Sequence, residues 1–370
     1  MDTITQGLLG AVTAQMGFRQ RIGRDATWVA AATAILPDLD VFIAPLMALA
    51  GGEPGEGAVH NYHRGLSHSL LAVPIIAAVA AGMWWWVRRR LNNRGARHRG
   101  DNGVIPPHGG RGPPGFGLLY ACCLVAVLSH PLLDWCTSYG TQLFAPLTSR
   151  RFAIDVVPII DIFYTSLLIL ALAAAWLVRR VRPAARRAAV IVGWTGFVLS
   201  VGYLAAGRAA HDVTVSRSRA LVPPGSRIVR ADAYPTLASI LLWRGVVETT
   251  DGWLAVRVRP LGHNRPRTKW AAKVDNQWVR RATELPEARR FKWFAMGRVR
   301  AKYELLDGRH VVELHDMRYG IMPEDVDSLW PLRVTFDDAS GVIDVSRLRR
   351  HRRRDLGKFI KRLWKDMWAP

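Results

Sequence analysis

The stretch PGFGLLYACCLVAVLSHPLLDW, residues 114–135, decides the fold. It has no Lys or Arg, and its only two strongly polar side chains, His130 and Asp134, stand near its end. Because a membrane-spanning helix needs about 20 apolar residues, this composition predicts a helix that crosses a bilayer. His130 and Asp134 are four positions apart, so they lie on one face of that helix and can share one ion.

Three other runs are long and apolar enough to span a bilayer. They cover about residues 66–87, 158–178 and 188–207, and three shorter apolar pieces, 3–18, 26–37 and 41–50, precede them. The first two short pieces favour a shallow hairpin. Residues 1–207 are therefore predicted to form a polytopic helical membrane domain.

Arginines concentrate in alternate loops. The loop 88–111 contains seven and the loop 179–187 contains five, whereas the loops 51–65 and 136–157 contain one and two. The positive-inside rule places the arginine-rich loops in the cytoplasm. With no basic segment at the start that would indicate a cleavable signal peptide, we expect a multi-pass protein whose membrane helices are retained. The alternation puts everything after residue 207 on the periplasmic side.

The second half of the chain has a different composition. Residues 1–207 carry a net charge of +8 and residues 208–370 one of +14. The second half contains the stretches SILLWRGVVETTDGWLAVRVRPL and RVRAKYELLDGRHVVELHDMRYGI. In both, β-branched and aromatic residues are interrupted by an Asp-Gly turn, which is typical of antiparallel hairpins. The predicted fold is mainly α, with a small soluble α+β domain rich in antiparallel strands over 208–346. Residues 347–370 are a basic tail that suits anionic lipid, nucleic acid or plain solvent.

Polar motifs converge at one membrane surface when they are placed on this topology. All of them fall at the outer ends of apolar segments: Asp38 and Asp40, His63 and His68, His130 and Asp134, and Asp161. Imidazole and carboxylate together suit a divalent metal, above all zinc, with manganese or iron as substitutes. The number of such groups exceeds what one tetrahedral ion needs, so more than one ion is expected. Clusters of this kind handle phosphoester displacement, and Arg64, Arg150 and Arg151 lie where they can hold a phosphate.

Four motifs carry a resemblance to a known family. These motifs are MDTITQGLLGA, LPDLD, HRGLSHS and SHPLLDWCTSYGTQLFAPLTSRRFAID. Over about residues 1–180 they resemble the bacterial family of inner-membrane, predicted metal-dependent hydrolases (YdjM-like). That family is distantly similar to zinc-dependent phospholipase C and P1-type nucleases, helical enzymes with a His and Asp zinc cluster. The resemblance implies these metal ligands: Asp38, Asp40, His63, His68, His130 and Asp134. Many members have His at the sixth position, where this chain has Gln6.

The resulting expectation is a membrane-bound, metal-dependent hydrolase that cleaves a phosphoester of a lipid. A divalent ion lowers the pKa of a water that attacks the phosphorus, and Asp40 or Asp161 orients that water or acts as general base. The depth of the site favours membrane lipid over a soluble substrate, and no specific nucleic acid is expected. Two other classes stay open: a metal-ion transport or storage protein, and a non-catalytic membrane scaffold whose C-terminal domain binds a partner.

Overall fold

A computed structural model describes residues 1–42, 63–97, 115–182, 184–262, 266–337, 341–347 and 356–368. The chain forms two compact units. The N-terminal unit comprises Met1–Ile154 and Ile162–Leu204, and the C-terminal unit comprises Asp155–Asp161 and Ala205–Pro370. The sequence predicted a domain boundary at residue 207, and it did not indicate that the short segment 155–161 belongs to the C-terminal unit.

The described part of the N-terminal unit is mainly helical. Its helical elements are α1 (Thr3–Gln15), α2 (Phe18–Ile22), α3 (Asp25–Ile35), two 3-10 segments (Leu36–Phe42 and Leu66–His68), α4 (Ala72–Arg97), α5 (Phe116–Trp135), α6 (Ile162–Val181) and α7 (Arg186–Arg219). Helix α7 continues into the C-terminal unit. Among the described helices, α5, α6 and α7 are long and apolar enough to cross a membrane. Most of the predicted apolar piece 41–50 lies outside the described residues.

Small residues let the first helices approach closely. A Cβ atom added at Gly10 of α1 would lie 2.5 Å from the Cβ atom of Ala34 of α3. Next to this contact, α5 packs against α3 and α4 through buried small side chains such as Cys122, Cys123 and Ala126. The three cysteines of the chain are free and buried, as expected of packing residues.

Helix α4 begins at Ala72 and ends at Arg97, so the predicted span 66–87 was wrong at both ends. At the start, residues 66–68 form a 3-10 turn, and Pro74 falls in the first helical turn, where the missing N–H of proline costs no hydrogen bond. At the other end, each arginine from 88 to 90 places its guanidinium over the tryptophan four residues earlier, at 4.1–5.8 Å from the ring centroid. These cation–π pairs support the helix beyond the apolar run.

Two four-stranded antiparallel sheets form the body of the C-terminal unit, as the sequence predicted. The first has the order β1 (Ile228–Pro235), β2 (Trp243–Thr249), β3 (Gly252–Val258) and β4 (Arg267–Ala272); the second has the order β5 (Val299–Leu306), β6 (Arg309–Asp316), β7 (Leu332–Phe336) and β8 (Val342–Arg347). Asp307 and Gly308, with φ angles of 50° and 75°, close the β5–β6 hairpin. Two successive residues of positive φ are the type I′ geometry that Asp-Gly favours.

The described part of this unit also contains the helices α8 (Gln277–Glu284), α9 (Pro286–Phe294) and α10 (Leu356–Trp368). Trp278 of α8 and Phe291 of α9 are buried with Val312 and Phe336 of the second sheet. Helix α10 lies within the predicted basic tail. Its Met367 is 3% exposed and packs with Leu242 and Met322, so this part of the tail is folded onto the unit.

Candidate metal centre

Three segments of the N-terminal unit converge on one polar cluster. Helix α3 runs without a break into the 3-10 segment Leu36–Phe42, which presents two aspartates; the turn at 63–68 presents two histidines; the last turns of α5 present a histidine and an aspartate. The members are Asp38, Asp40, His63, His68, His130 and Asp134. The structure therefore brings together the six side chains that the family resemblance implied as ligands.

The inner group contains two imidazoles and two carboxylates. His68 Nε2 lies 3.4 Å from Asp38 Oδ1 and 3.4 Å from Asp134 Oδ2. His130 Nε2 lies 3.4 Å and 3.6 Å from the same two oxygens. His68, His130 and Asp134 are fully buried, and Asp38 is 9% exposed.

Hydrogen bonds on the far side of each ring fix which nitrogen faces the carboxylates. His130 Nδ1 lies 2.6 Å from the Ala34 carbonyl oxygen, and a carbonyl can only accept, so Nδ1 carries the hydrogen. Ser67 Oγ donates to Asp40 Oδ2 at 2.6 Å, which leaves its oxygen to accept from His68 Nδ1 at 3.0 Å. When both rings are neutral, the lone pair of Nε2 therefore points at carboxylate oxygens.

This arrangement requires positive charge between the groups. Nε2 of His68, Nε2 of His130 and Oδ2 of Asp134 are buried with no hydrogen-bond partner among the residues that the structure describes. Lone pairs and anionic oxygens 3.4–3.6 Å apart repel one another unless a proton or a cation lies between them. Tetrahedral ligands about 2.0–2.1 Å from a zinc ion lie about 3.3–3.4 Å from each other. The donor types and their spacing thus fit a divalent cation.

Asp134 has cationic and amide partners as well. The Met1 amine contacts its Oδ1 atom, to which Gln6 Nε2 also donates at 3.0 Å. Arg64 Nε lies 3.1 Å from its Oδ2 atom. Gln6 thus takes part in the cluster.

The outer group is built around Asp40. His63 Nδ1 donates to Asp40 Oδ1 at 2.8 Å, and His68 Nδ1 lies 3.3 Å from Asp40 Oδ2. Two sets of three residues each bring three possible ligand atoms within 4.8 Å of one another. The inner set is Asp38, His68 and His130, and the outer set is Asp40, His63 and His68. The two groups share His68.

Both aspartates of the 3-10 segment are held ionised. Burial alone raises the pKa of Asp38, but when Nε2 of His130 and of His68 carries a proton, the contacts with these rings outweigh burial and keep the pKa below its ordinary value. At Asp40 the same competition between burial and hydrogen bonds from His63 and His68 also leaves the pKa below its ordinary value. Two carboxylates that stay charged when buried suit a cation-binding role.

The three predicted substrate-binding arginines differ in their surroundings. Arg64 is 2% exposed and donates from Nη1 to Thr137 Oγ1 at 2.7 Å. Arg151 is buried too, and it donates to the Gly140 carbonyl oxygen at 2.9 Å. Arg150 is exposed, with its guanidinium carbon 5.4 Å from the Phe152 ring centroid. Of the three, only Arg150 presents its side chain to the surface.

Asp161, the second predicted catalytic residue, belongs to the C-terminal unit. It is fully buried, and its backbone forms a parallel bridge with Ala238. The sequence had put Asp161 in the first turn of a helix, but α6 starts one residue later, at Ile162. Pairing with a residue far along the chain keeps Asp161 extended, and no local pattern could indicate that pairing.

Several residues that hold the ligands in place were not predicted from the sequence. Thr3 Oγ1 donates to Asp38 Oδ2 at 2.7 Å, Ser67 contacts Asp40 and His68, and Ala34 accepts from His130. Partners of this kind orient metal ligands. Thr3 and Ser67 stand inside the motifs MDTITQGLLGA and HRGLSHS, so their presence there was the available signal.

The fold and the cluster define a membrane protein with apolar helices and a buried His and Asp centre that can hold a metal ion. The family model described as YdjM inner membrane protein matches residues 1–210. Since this match covers more than half of the chain, the protein belongs to the YdjM inner membrane protein family. No curated protein and no solved structure matches the chain.

Proposed function

We propose that this chain is a polytopic inner-membrane, metal-dependent hydrolase that cleaves a phosphoester of a membrane lipid. The observation that carries the proposal is the pair of unpartnered Nε2 atoms of His68 and His130 aimed at carboxylate oxygens. His68, His130, Asp38 and Asp134 would hold one divalent ion, most simply zinc. The outer group, with Asp40 and His63, is the place for a second.

The bound ion would supply two things: a lowered pKa for a nearby water and charge stabilisation for a phosphoryl group. The residues of the chain do the positioning. Asp40 accepts from His63, from Ser67 and, at 3.2 Å, from the Arg64 amide. A carboxylate with three donors and a depressed pKa is a poor proton acceptor, so Asp40 suits orientation of the two histidines better than general base catalysis.

Apolar side chains beside the ligands support a lipid substrate. Leu39, between Asp38 and Asp40, is 51% exposed, and Leu66, next to Ser67, is 60% exposed. Phe42, at the end of the 3-10 segment, is 56% exposed. Exposed apolar residues on the segments that carry the ligands fit acyl chains rather than a soluble substrate. On the positive-inside argument this face is periplasmic, and the C-terminal unit is on the same side.

The test is metal content followed by lipid hydrolysis. Wild type and the His68→Ala, His130→Ala double variant are purified in detergent, and bound zinc, manganese and iron are measured by elemental analysis. The control is Asp212→Asn, an exposed aspartate of α7. Each protein is then mixed with phosphatidylglycerol and phosphatidylethanolamine vesicles, and products are followed by mass spectrometry.

The expected result is stoichiometric metal and lipid cleavage in wild type and the control, with both lost in the double variant. Metal without cleavage of either lipid would replace the hydrolase proposal by ion storage or transport. No metal in a well-folded wild type, even after incubation with excess zinc or manganese, would overturn the metal centre and favour a scaffold.

A further inference from the structure

Helix α10 carries an exposed stripe that combines aromatic and basic side chains. Trp364 and Trp368 are 47% and 55% exposed, and their ring centroids are 6.0 Å apart. Lys361 and Lys365 are exposed as well. The four positions follow the spacing i, i+3, i+4 and i+7, so they share one face of the helix.

The other face of α10 is fixed to the C-terminal unit. Met367 is buried against Leu242 and accepts a hydrogen bond from Ser239 Oγ at 2.9 Å. Asp366 forms an ion pair of 2.5 Å with Arg257 of β3. The helix is therefore docked in a set orientation, and its Trp and Lys stripe faces outward.

A segment bonded to the docking point continues along the chain into a membrane helix. Ala238, the neighbour of Ser239, donates its amide to the Ile160 carbonyl oxygen at 3.0 Å and forms the bridge with Asp161. The next residue, Ile162, begins α6, which is apolar enough to cross a membrane. Ile160 is itself 49% exposed. This edge of the C-terminal unit is tied by the chain to the end of an apolar helix.

We propose that α10 lies on the surface of the same membrane, with its two tryptophans at the headgroup level and its lysines on anionic phospholipid. Tryptophan is enriched at membrane interfaces because its ring is apolar and its N–H is polar. Residues 347–370 contain ten basic and two acidic side chains, which complements an anionic surface. Nucleic acid would suit the charge, but it would not explain why the segment bonded to the docking point leads directly into an apolar helix.

An environment-sensitive dye tests the position of the stripe. The dye is attached to the Trp368→Cys variant of the full-length chain; the native cysteines are buried and do not compete. The protein is reconstituted in nanodiscs of phosphatidylcholine, with or without phosphatidylglycerol. We measure the emission wavelength of the dye and its quenching by lipids that carry a spin label near the headgroup. Glu284→Cys, at an exposed position of α8, is the control site.

We expect blue-shifted emission and quenching at residue 368, stronger with phosphatidylglycerol, and neither effect at residue 284. A lysine near an anionic surface strengthens the association of a helix with that surface about fivefold. The Lys361→Gln, Lys365→Gln double variant should therefore weaken the association of α10 with the phosphatidylglycerol surface about 25-fold. Emission typical of water, without quenching in either lipid, would overturn the proposal. The proposal would also be overturned if emission and quenching were equal with and without phosphatidylglycerol and did not change in the lysine variant. A third contrary result would be an emission shift that a DNA duplex produces in detergent and that neither lipid produces.

Discussion

The close approach of α1 and α3 predicts that a single methyl group at Gly10 disturbs the metal centre from a distance. In Gly10→Ala the new Cβ would lie 2.5 Å from Ala34 Cβ and 2.7 Å from the Ala30 carbonyl oxygen. Carbon atoms in contact prefer about 3.5–4.0 Å, so the helices must separate by about 1 Å. Overpacking of this kind costs about 1–3 kcal/mol, and the better helix propensity of alanine offsets about 0.5–1 kcal/mol.

The displacement would reach the ligands through α3. Ala34 holds His130 by its carbonyl group, and α3 leads directly into the segment with Asp38. Metal–ligand distances tolerate about 0.2 Å, and disturbing the residues that orient ligands typically lowers metal affinity about 10–100-fold. We therefore expect Gly10→Ala to lower both the unfolding temperature in detergent and the affinity for zinc.

Gly82→Ala is the matched control, because Gly82 is also helical but has nothing within 4 Å of an added Cβ atom. It should leave metal affinity unchanged and stability equal or slightly higher. Thermal unfolding and zinc titration of the two variants and wild type form the assay. If Gly10→Ala behaves like Gly82→Ala in both measurements, the contact between α1 and α3 does not control the position of the ligands.

Other perturbations separate structural from binding roles. Arg64→Ala should destabilise the N-terminal unit by up to about 3 kcal/mol, because the buried Asp134 carboxylate loses one of its cationic partners and keeps the Met1 amine. Arg150→Ala should stay within about 0.5 kcal/mol, and denaturant titration compares the two variants. Ser67→Ala should weaken zinc binding about 10–100-fold without unfolding the protein, and zinc titration at unchanged circular dichroism checks this. Burial lowers the pKa of His315 below 6.5; since the unfolded chain then binds more protons, stability of the C-terminal unit should fall as pH drops below about 6.5. Hydrogen exchange of β6 at several pH values, with His315→Gln as the comparison that should flatten the slope, tests that sign.

Patterns within a short window predicted much of the fold. The 114–135 run agrees with α5 to within two residues, because composition, length and the turn after Trp135 all act locally. The Asp307-Gly308 hairpin was readable for the same reason: the turn chemistry sits beside alternating strands. The predicted helix 188–207 lies within α7 but ends too early, since α7 continues to Arg219. Residues that favour a helix can follow the end of an apolar run, so hydropathy alone does not mark where the helix ends.

Contacts between distant residues set the limit of the sequence reasoning. The family motifs pointed to His68 and His130, but the carbonyl of Ala34 that turns the His130 ring cannot be recognised from residue type. Arg64 was predicted to hold a phosphate, and its residue type did not indicate that its guanidinium is buried beside Asp134. Asp161 was grouped with the other acidic residues by its position along the chain. Its pairing with Ala238, 77 positions later, depends on tertiary structure.

His68 stands between the two candidate ion positions, with one ring nitrogen toward each. A neutral imidazole has one proton and one lone pair, so a cation at the inner position obliges the other nitrogen to keep its proton and repel a second cation. The two positions are thus linked by a single tautomer, and filling the inner one lowers the affinity of the outer one. Two-ion occupancy would require either an imidazolate bridge or release of His68 from the outer group. Metal loading of this centre is therefore expected to be anticooperative, with a first ion held tightly and a second held weakly and exchanged quickly.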